Sequence, residues 1–374
     1  MRIGLITTLN TNIGDDFIRE GICLAVKKIF HDRKIQFIPV NKHQPFTVYP
    51  KWHIIKLAIA AQYLPRGKDL IGKLLEHLFS RFGMSRFNHC DLIIQCGAPV
   101  FWPDCHRAEW VNLLWHNTVG PLSKRIPVFN IAAGSCYPWK DQPSEISNVN
   151  DGSYLKRILS YCRLTTVRDS LAQRLCMSLG LNVPLIPCSA LFASEDRIGQ
   201  MRQNGLVLIN YMSGGGHYEW EQRIDSERWH HLVKNLIFRV QKRHRLAFLC
   251  HNETEYHLAE CLDSSIPRFW PKTSIEFFTI VSEAKAAICN RLHASIGMAG
   301  MGIPSIAVGT DTRLLMVKAV DLPCFYVMET SVELLEEQLE KMICHRNDLK
   351  AKLLALKSQA WHNYIETISN ALQQ

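Results

Sequence analysis

The chain has 374 residues, of which 47% are hydrophobic and 21% are charged. This composition is typical of globular proteins and excludes an intrinsically disordered chain, and the length predicts two domains. The formal net charge of +9 indicates acidic partners such as phosphates, anionic sugars or an anionic lipid surface. Because the positive charge is dispersed and no recognition motif is present, a nucleic-acid partner is not expected.

The sequence also argues against a membrane span and against disulfides. No run approaches the roughly 20 apolar residues of a membrane helix, and the N-terminal MRIGLITTLNTNIGDD is typical of a strand and turn rather than a signal peptide. The 13 cysteines are scattered without a CxxC pair, and Cys96, Cys250 and Cys289 lie in apolar segments. We therefore expect a cytoplasmic protein with reduced, buried thiols.

Short β-branched runs alternate with longer helical patterns along the whole chain. In the first half RIGLITTL, KIQFIPV, DLIIQCG, IPVFNIA and LTTVR predict strands, and the helical patterns cover 16–30, 107–118, 152–162 and 169–179. In the second half GLVLINY, LAFLC, KAAICN and PSIAVG predict strands, and the helical patterns cover 226–243, 253–262, 273–283, 292–301 and 331–343. This alternation predicts βαβ units and parallel sheets that are covered on both faces.

The alternation pauses at the polar stretch ASEDRIGQMRQNG, residues 193–205, where we place a domain boundary. We expect an α/β fold of two Rossmann-like, doubly wound domains, 1–195 and 196–345, that face a cleft. The last helical segment, 346–374, either caps one domain or crosses back to the other. Ligands of such sheets bind at the carboxyl ends of the strands, so the cleft between the domains is the expected site.

The segment 51–87 departs from the alternation. It is a basic insertion of helical pattern that carries a tryptophan, a tyrosine and three phenylalanines. A basic amphipathic helix with aromatic residues can lie on an anionic membrane surface or form a wall of the acceptor site. The alternative is a helical hairpin that packs on its own domain, so peripheral contact with a membrane stays an open prediction.

The turn NTNIGDDFIREGI follows the first predicted strand. Asn12 suits a tight turn, and Asp15 or Asp16 can cap the following helix. The GxGxxG fingerprint of a dinucleotide site is absent, and two carboxylates would repel a phosphate. The turn therefore either orients an acceptor hydroxyl or only caps the helix.

Two further turns stand at strand ends. In IQCGAPVFWPDC, Gly97 fits a backbone turn that faces the cleft, and Trp102 can stack on a sugar ring. Ser135 and Trp139 repeat this arrangement in NIAAGSCYPW. Each motif is weak alone, but their common position at the carboxyl ends of strands makes these residues candidates for binding an acceptor.

Arg168 ends the strand LTTVR, and Asp169 is expected to cap the helix that follows. One explanation of Arg168 is a salt bridge across its domain. The other is a cation in the cleft that binds a carboxylate or a phosphate in bidentate fashion.

The loop INYMSGGGHYEW follows a strand of the second half. Gly214, Gly215 and Gly216 allow backbone N–H groups to close around an anion, and His217 can assist them. A flexible surface loop is the alternative.

The strongest candidate is CNRLHASIGMAGMGIPSIAVG, residues 289–309. Arg291 and His293 stand where a predicted strand is followed by a helix, so the helix N–H groups add positive potential there. That potential suits an anion and lowers the pKa of a histidine, and a bound anionic substrate would reverse the effect on the pKa. The pair predicts an anion clamp beside a general acid; the alternative is a structural arginine and a core histidine.

No metal site is expected. The HExxH and DxD motifs are absent, and the spacing of His257 and Cys261, with Cys250 and His251 nearby, matches no zinc signature. The GxSxG nucleophile motif is also missing.

Several blocks occur in the order that is seen in the polysaccharide pyruvyltransferases, and the chain resembles that family over about residues 3–320. The blocks are IGLITTLNTNIGDDFI, the glycine turn after DLIIQCG, TTVRDSLAQRL with its following LG, and RLHASIGMAGMGIPSIAVG. The resemblance implies a fold like that of GT-B glycosyltransferases, with the acceptor on the side of 1–195 and the donor on the side of 196–345.

The resemblance also implies a reaction. The family uses phosphoenolpyruvate as co-substrate to place a pyruvyl ketal on two hydroxyls of a sugar in a cell-surface polysaccharide precursor, without a metal or redox cofactor. Carried over to this chain, Arg291 holds the phosphate or carboxylate of the donor, His293 acts as the acid, and Arg168 is a further anion ligand. Arg313 joins the donor side, at a position where lysine is common in the family.

Two other functions stay open, because IPCSALFAS stands where many members have an Asp-Pro-containing stretch. The chain is alternatively a GT-B glycosyltransferase that uses a nucleotide-activated sugar, or a non-catalytic sugar- or anion-binding protein. The acceptor sugar, its linkage, any lipid carrier and the oligomeric state are not specified by the sequence.

Overall fold

The computed structural model describes residues 1–53, 84–194 and 205–373, and this part of the chain contains two parallel β-sheets with helices packed on them. The predicted α/β fold of two Rossmann-like units is confirmed. Most of the predicted insertion 51–87 and most of the predicted boundary 193–205 lie outside the described residues.

The first sheet has the strand order β2-β1-β3-β5-β4, and β6 also pairs with β5. All of these pairs are parallel. The strands are β1 (Arg2–Thr7), β2 (Gln36–Asn41), β3 (Leu92–Cys96), β4 (Pro99–Phe101), β5 (Val128–Ser135) and β6 (Leu164–Val167). The helices are α1 (Ile13–Ile29), α2 (Gly120–Leu122), α3 (Val149–Ser160) and α4 (Ser170–Ser178), and a π-helical segment, Val111–Val119, leads into α2.

The second sheet has the strand order β12-β11-β10-β7-β8-β9, again with parallel pairs. The strands are β7 (Leu206–Asn210), β8 (Leu246–Leu249), β9 (Arg268–Phe269), β10 (Ala284–Cys289), β11 (Ser305–Gly309) and β12 (Cys324–Tyr326). The helices are α5 (Ser226–Val240), α6 (Glu253–Leu262), α7 (Ser274–Val281), α8 (Leu292–Ala299), α9 (Leu314–Lys318) and α10 (Val332–Cys344). The winding reverses between β7 and β10, which is where such sheets open a ligand crevice.

The apolar pattern explains why these segments form buried layers. All five residues of β3 are buried, as expected for a strand with a helix layer on each face. In α5 the buried residues Trp229, Leu232, Val233 and Leu236 recur at the spacing of one helix face. Nearly every strand and helix predicted from the sequence is present, whereas β4, β9 and β12 were not predicted because two or three residues carry no readable period.

The C-terminal helix α11 (Arg346–Gln373) crosses back onto the first half of the chain. Its Trp361 and Tyr364 pack edge-on against Phe192, with ring centroids 5.0 and 5.5 Å away. The helix also contacts the second half, where Lys357 Nζ donates to Gly300 O at 3.1 Å.

Two kinds of contact hold the halves together. The 3₁₀ turn Ser189–Phe192 lies between Gly21 of α1 and Gly300 after α8, so closely that a Cβ on either glycine would collide with a backbone carbonyl of the turn. On the opposite side, Ser135 and Thr312 share a 2.9 Å hydrogen bond between their hydroxyls. The two sheets are thus packed as one unit.

No helix among the described residues is both long and apolar enough to cross a membrane. All of the cysteines lie in the described part of the chain; none forms a disulfide, and most are buried.

Gly21→Ala tests the packing of α1 on the turn between the halves. In an open helix alanine is favoured over glycine by about 0.5–1 kcal/mol. At Gly21 the added methyl group would meet the Ser189 carbonyl, so we expect the free energy of unfolding to fall by about 1–3 kcal/mol. Thermal denaturation measures the change.

Gly152→Ala in α3 is the matched control, because the nearest atom to a Cβ at that position is 3.9 Å away. This variant should be as stable as the wild type or more stable. An equal Tm for both variants would show that α1 can shift on the turn at little cost.

Candidate active site

A cavity of about 570 Å³ lies between the carboxyl ends of the two sheets. Its volume is within the range of about 300–1,000 Å³ that small-molecule sites occupy. The first sheet contributes Asn12, Asp15, Lys42, Trp102 and Trp110 to its wall, and the second contributes His217, Arg291, His293 and Arg313. The predicted position of the site, in the cleft at the strand ends, is therefore where the structure opens a cavity.

The cavity has two chemically different ends. Lys42, Trp102 and Trp110 also line a small adjoining space, and we call these three residues the aromatic end. Another small space adjoins Arg291, His293 and Arg313, together with His217 and His251, and we call these five residues the cationic end. A ligand that spans the cavity would thus meet stacking surfaces at one end and positive charge at the other.

Arg291 stands at the N-terminus of α8, as predicted. Its backbone N–H donates to Asn210 Oδ1 at 2.7 Å, and its side chain does not cap the helix. Its Nε and Nη2 lie 2.7 and 2.6 Å from Glu255 Oε1, and the Glu255 side chain is only 3% exposed. Glu255, which carries no motif in the sequence, compensates the charge of the predicted anion clamp.

His293 lies on the first turn of α8 and packs against Gly14 of α1. Its Nε2 lies 3.1 Å from Arg168 Nη1, and because a guanidinium can only donate, Nε2 is the acceptor. Burial lowers the pKa of His293 well below its usual value, and the cations Arg168, Arg313 and Arg291 lower it further. This direction agrees with the predicted effect of the local positive potential, and it makes the imidazole neutral when no ligand is bound.

Arg168 lies behind His293 rather than in the cavity wall. Its side chain is fully buried beneath His293. No carboxylate of the described residues forms a salt bridge with it, and both of its predicted roles stay predictions. Asp169 caps α4 as expected, through a 2.8 Å bond from Ala172 N.

The rest of the cationic end is partly paired. Arg313 makes two bonds to Asp311, of 2.8 and 2.6 Å, and its guanidinium lies 4.7 Å from the centre of the Tyr218 ring. Burial lowers the pKa of His217 to about 4 and that of His251 to about 3. Both ring nitrogens of His251 are buried without a hydrogen-bond partner among the described residues. In the sequence, His251 stands out only as a neighbour of Cys250. Its place directly after β8 is the one feature that indicates a position beside the cavity.

The glycine loop does not form the predicted anion cradle. Gly214, Gly215 and Gly216 are not among the residues of the cavity wall; added Cβ atoms would meet Glu219, Val327 and Thr310, respectively. The glycines therefore serve close packing of the loop, and of this loop's predicted anion-binding residues only His217 reaches the cavity.

The first turn contributes as predicted, but with different roles for its residues. Asn12, rather than Asp15 or Asp16, caps α1, and its side chain accepts from Gly14 N at 3.1 Å. Asp16 pairs with Arg19 at 2.5 Å and is not part of the wall. Asp15 faces the cavity, where burial raises the pKa of its carboxyl against the opposing effects of Lys42 and other cations. It is the one carboxylate among the described residues that line the cavity.

Three other acceptor candidates lie outside the wall. Gly97 packs against Ile18, so its missing side chain serves the contact between β3 and α1. Ser135 is fully buried and bonds Asp169 and Thr312, which makes it a joint between the halves. The Trp139 side chain packs against the core, and its backbone N–H donates to Thr310 O at 3.2 Å. All three residues follow or end a strand as expected, but none of them lines the cavity.

The aromatic end combines one predicted residue with two that were missed. Trp102 lines the cavity as expected, and its ring meets that of Trp110 edge-on at 5.4 Å. Lys42 Nζ lies 4.7 Å from the centre of the Trp110 ring, which is a cation–π contact. Lys42 and Trp110 carried no motif in the sequence, because each depends on contacts between distant segments.

One group of side chains among the described residues could hold a metal ion, and it lies outside the cavity wall. It consists of Asp104, His106 and Asp151. The buried Asp151 already accepts from Asp104 N at 2.9 Å and from the His106 ring at 2.6 Å. These bonds hold the group together without an ion.

The family model described as polysaccharide pyruvyl transferase matches residues 12–312, which is well over half of the chain. The chain belongs to the polysaccharide pyruvyl transferase family. It is therefore a transferase, as the resemblance implied. No curated protein sequence matches the chain.

Solved structures agree on the fold of this family member. The UDP-GlcNAc 2-epimerase of Neisseria meningitidis superposes with a TM-score of 0.58 at 11% identity, over 100% of both chains. The putative UDP-N-acetylglucosamine 2-epimerase of Listeria monocytogenes gives a TM-score of 0.54 at 11% identity, over 95% of this chain and 90% of that chain. The epimerase of Methanocaldococcus jannaschii gives 0.53 at 11% identity, over 92% and 93%. At these identities the likeness shows the GT-B-like fold alone.

Lys42→Met tests the burial of a cation at the aromatic end. Burial lowers the pKa of Lys42 from its ordinary value of 10.5 to about 8. The unfolded chain binds this proton up to the higher pKa, so the wild-type protein gains stability as the pH rises between the two values. We therefore expect the variant to have the higher Tm below about pH 8, and the difference to shrink towards pH 10.

Lys140→Met is the control, since Lys140 is exposed and also lies over an aromatic ring, 5.4 Å from the centre of Tyr326. It should show no such pH dependence when Tm is measured over the same range. A difference between Lys42→Met and the wild type that stays constant from pH 6 to pH 10 would contradict the burial of a charge at Lys42.

Proposed function

We propose that this transferase moves a pyruvyl group from phosphoenolpyruvate to two hydroxyls of a sugar in a cell-surface polysaccharide precursor. The observation that carries the proposal is a single cavity with a cationic end at a helix N-terminus and an aromatic end opposite. The donor is a small molecule with a phosphate and a carboxylate, and the acceptor is a sugar, so the two ends suit the two substrates.

The cationic end has three features that favour a phosphate. The first N–H groups of α8 are not capped by a side chain, so they are free to donate to an anion. Arg291 and Arg313 line the same space, and each retains part of its guanidinium for a ligand beside its carboxylate partner. The buried charge of Arg168 lies behind His293 and adds positive potential there.

The chemistry needs a proton donor near the donor's methylene carbon. Protonation of that carbon makes C2 electrophilic, and one sugar hydroxyl bonds to C2 and gives up its proton. The bond from C2 to the phosphate oxygen then breaks, and the second hydroxyl bonds to C2 as it also loses a proton. One hydroxyl proton balances the one given to carbon, and the other leaves as hydrogen phosphate. We assign the protonation to His293, because it lies in the cavity wall beside the cations that hold the donor.

Asp15 is suited to receive a hydroxyl proton. It lies in the wall between the two ends, since both Lys42 and Arg313 act on its charge. Burial raises the pKa of its carboxyl, which makes it a stronger base than an exposed aspartate. Trp102 offers a flat apolar surface on which a sugar ring can stack.

A nucleotide-activated sugar is the alternative donor, since its phosphates would also suit the cationic end.

Two measurements separate the alternatives. Phosphoenolpyruvate should raise the Tm of the wild-type protein, and Arg291→Ala should weaken its binding about 10- to 100-fold, as expected for the loss of a bond to a charged group. Arg239→Ala is the matched control, because Arg239 is also paired with glutamates, at the surface.

His293→Ala should abolish phosphate release from phosphoenolpyruvate in the presence of a sugar acceptor, while the protein stays folded. Stabilisation by UDP-sugars and not by phosphoenolpyruvate would refute the proposed donor in favour of a glycosyltransferase. If neither class of compound binds, the chain is a member of the family without catalytic activity on these donors.

Trp102→Ala tests the acceptor end. With methyl hexopyranosides and UDP-hexoses as acceptors, we expect the acceptor KM to rise up to about 10-fold, as for the loss of one aromatic contact, with phosphoenolpyruvate binding unchanged. Trp52→Ala is the control, because Trp52 is 79% exposed and lies outside the cavity wall. Loss of phosphoenolpyruvate binding with an unchanged acceptor KM would show that the two ends are assigned the wrong way round.

A further inference from the structure

Arg168 is a cation whose position is not explained by its contribution to stability. Its side chain is fully buried, and Nε and Nη2 have no hydrogen-bond partner among the described residues. That edge of the guanidinium lies against Gly134, where a Cβ would be 2.5 Å from Nε. Nη1 contacts Cys188 Sγ at 3.8 Å and His293 Nε2 at 3.1 Å. Its charge opposes the rise that burial causes in the pKa of Asp169 and of Asp15, but neither carboxylate forms a salt bridge with it. A buried guanidinium that lacks such a bond is unfavourable for folding.

The contact determines which nitrogen of His293 carries the proton. Arg168 can only donate, so Nε2 accepts and the neutral ring has its proton on Nδ1. The hydrogen bond that the His293 ring makes among the described residues is the one at Nε2, and the ring lines the cavity. The tautomer that Arg168 selects therefore leaves Nδ1–H available to a ligand.

The same contact prevents His293 from acting as an acid in the empty site. An imidazolium has N–H groups on both nitrogens, and its Nε2–H would face the N–H of Arg168. The surroundings oppose the charged form too: Arg291 lies on the same turn, and Arg313 and His251 approach from neighbouring strand ends. Glu255 and Asp311 are already paired with Arg291 and Arg313, respectively. Asp15 on α1 is the one carboxylate among the described residues of the cavity wall.

We propose that Arg168 is a positioning residue that holds His293 neutral in the empty site and releases it when a phosphate-bearing donor binds. The inference rests on the proposed function, in which the donor is phosphoenolpyruvate. The negative charge of the bound donor offsets that of the surrounding arginines, so the charged form of His293 is no longer opposed. Nε2 then takes a proton from solvent, so the donor is bound together with the proton that its methylene carbon later receives.

Calorimetric titration of the full chain with phosphoenolpyruvate, in buffers of different ionisation enthalpy, measures this proton uptake. At pH 8 the donor phosphate is already ionised, since the second pKa of such phosphates is about 6. We expect uptake of about one proton per bound phosphoenolpyruvate in the wild-type protein and of none in His293→Gln. His257→Gln is the control, because His257 is exposed on α6 outside the cavity wall and should leave the uptake unchanged. His251→Gln tests the other neutral histidine of the cationic end that is fully buried.

Nitrogen NMR of the ¹⁵N-histidine-labelled protein, with His293→Gln to assign the signal, reports the tautomer directly. The empty wild-type protein should show His293 with Nδ1 protonated and Nε2 free, and both nitrogens should be protonated once phosphoenolpyruvate is bound. In Arg168→Met the empty protein should lose the fixed tautomer, and His293 should titrate at a higher pH.

The Tm of Arg168→Met separates positioning from a structural role. Because the variant removes an unpaired buried charge and keeps an apolar side chain in its place, its Tm should equal or exceed that of the wild type, while phosphate release falls. A lower Tm with an unchanged His293 tautomer would assign Arg168 a structural role and overturn the proposal.

The remaining outcomes are also decisive. An Nε2–H tautomer or a charged His293 in the empty protein at pH 7 overturns the positioning role. If the wild type and His293→Gln take up equal numbers of protons, the proton does not go to His293 and the proposed release is wrong. The same holds if proton uptake is lost in His251→Gln but not in His293→Gln. If phosphoenolpyruvate does not bind, the proposed function and the coupled proton uptake are both wrong. The His293 tautomer in the empty protein then still tests whether Arg168 positions His293.

Discussion

The close contact between α1 and α8 is the constraint on which the site depends. A Cβ on Gly14 would lie 2.7 Å from the Cβ of His293, so the histidine from the second sheet fits only because the first sheet presents a glycine there. This contact brings Asp15 to the same cavity as Arg291 and His293. The turn Ser189–Phe192 holds the two helices in this relation, since each has a glycine packed against it. The site is therefore a property of the junction, because neither sheet contains both ends of the cavity.

Charge is distributed unevenly across this junction. Arg291 and Arg313 are paired with Glu255 and Asp311, so they can orient an anion without leaving an uncompensated charge when the site is empty. Arg168 forms no such ion pair with a carboxylate of the described residues, and it contacts His293 instead. Burial then keeps the imidazole neutral, and the balance changes only when a ligand supplies negative charge. In the proposed reaction, donor binding and protonation of His293 are therefore linked by electrostatics.

Sequence patterns located the strand ends well and the side chains at those ends less well. The positions of Arg291 and His293 could be predicted because the first residues of α8 directly follow the end of β10. This placement depends on local sequence and not on contacts with distant segments. Ser135, Gly215 and Gly216 stand at strand ends too, but they pack against Thr312, Val327 and Thr310, which are distant in sequence. Lys42 and Trp110 gave no sequence signal, since their roles arise from contacts across the first half of the chain.

Local sequence determined the parallel sheets and the position of the cleft at the strand ends. It also determined where α1 and α4 begin, after the caps Asn12 and Asp169. Apolar periodicity and capping act over only a few residues, so they can be recognised without the tertiary structure. The family could also be read from the order of short blocks. The partners of the charged groups were decided by tertiary structure alone. Glu255, Asp311, Gly14 and Gly134 determine what the arginines and His293 can do, and their proximity follows from packing between segments that are far apart in the chain.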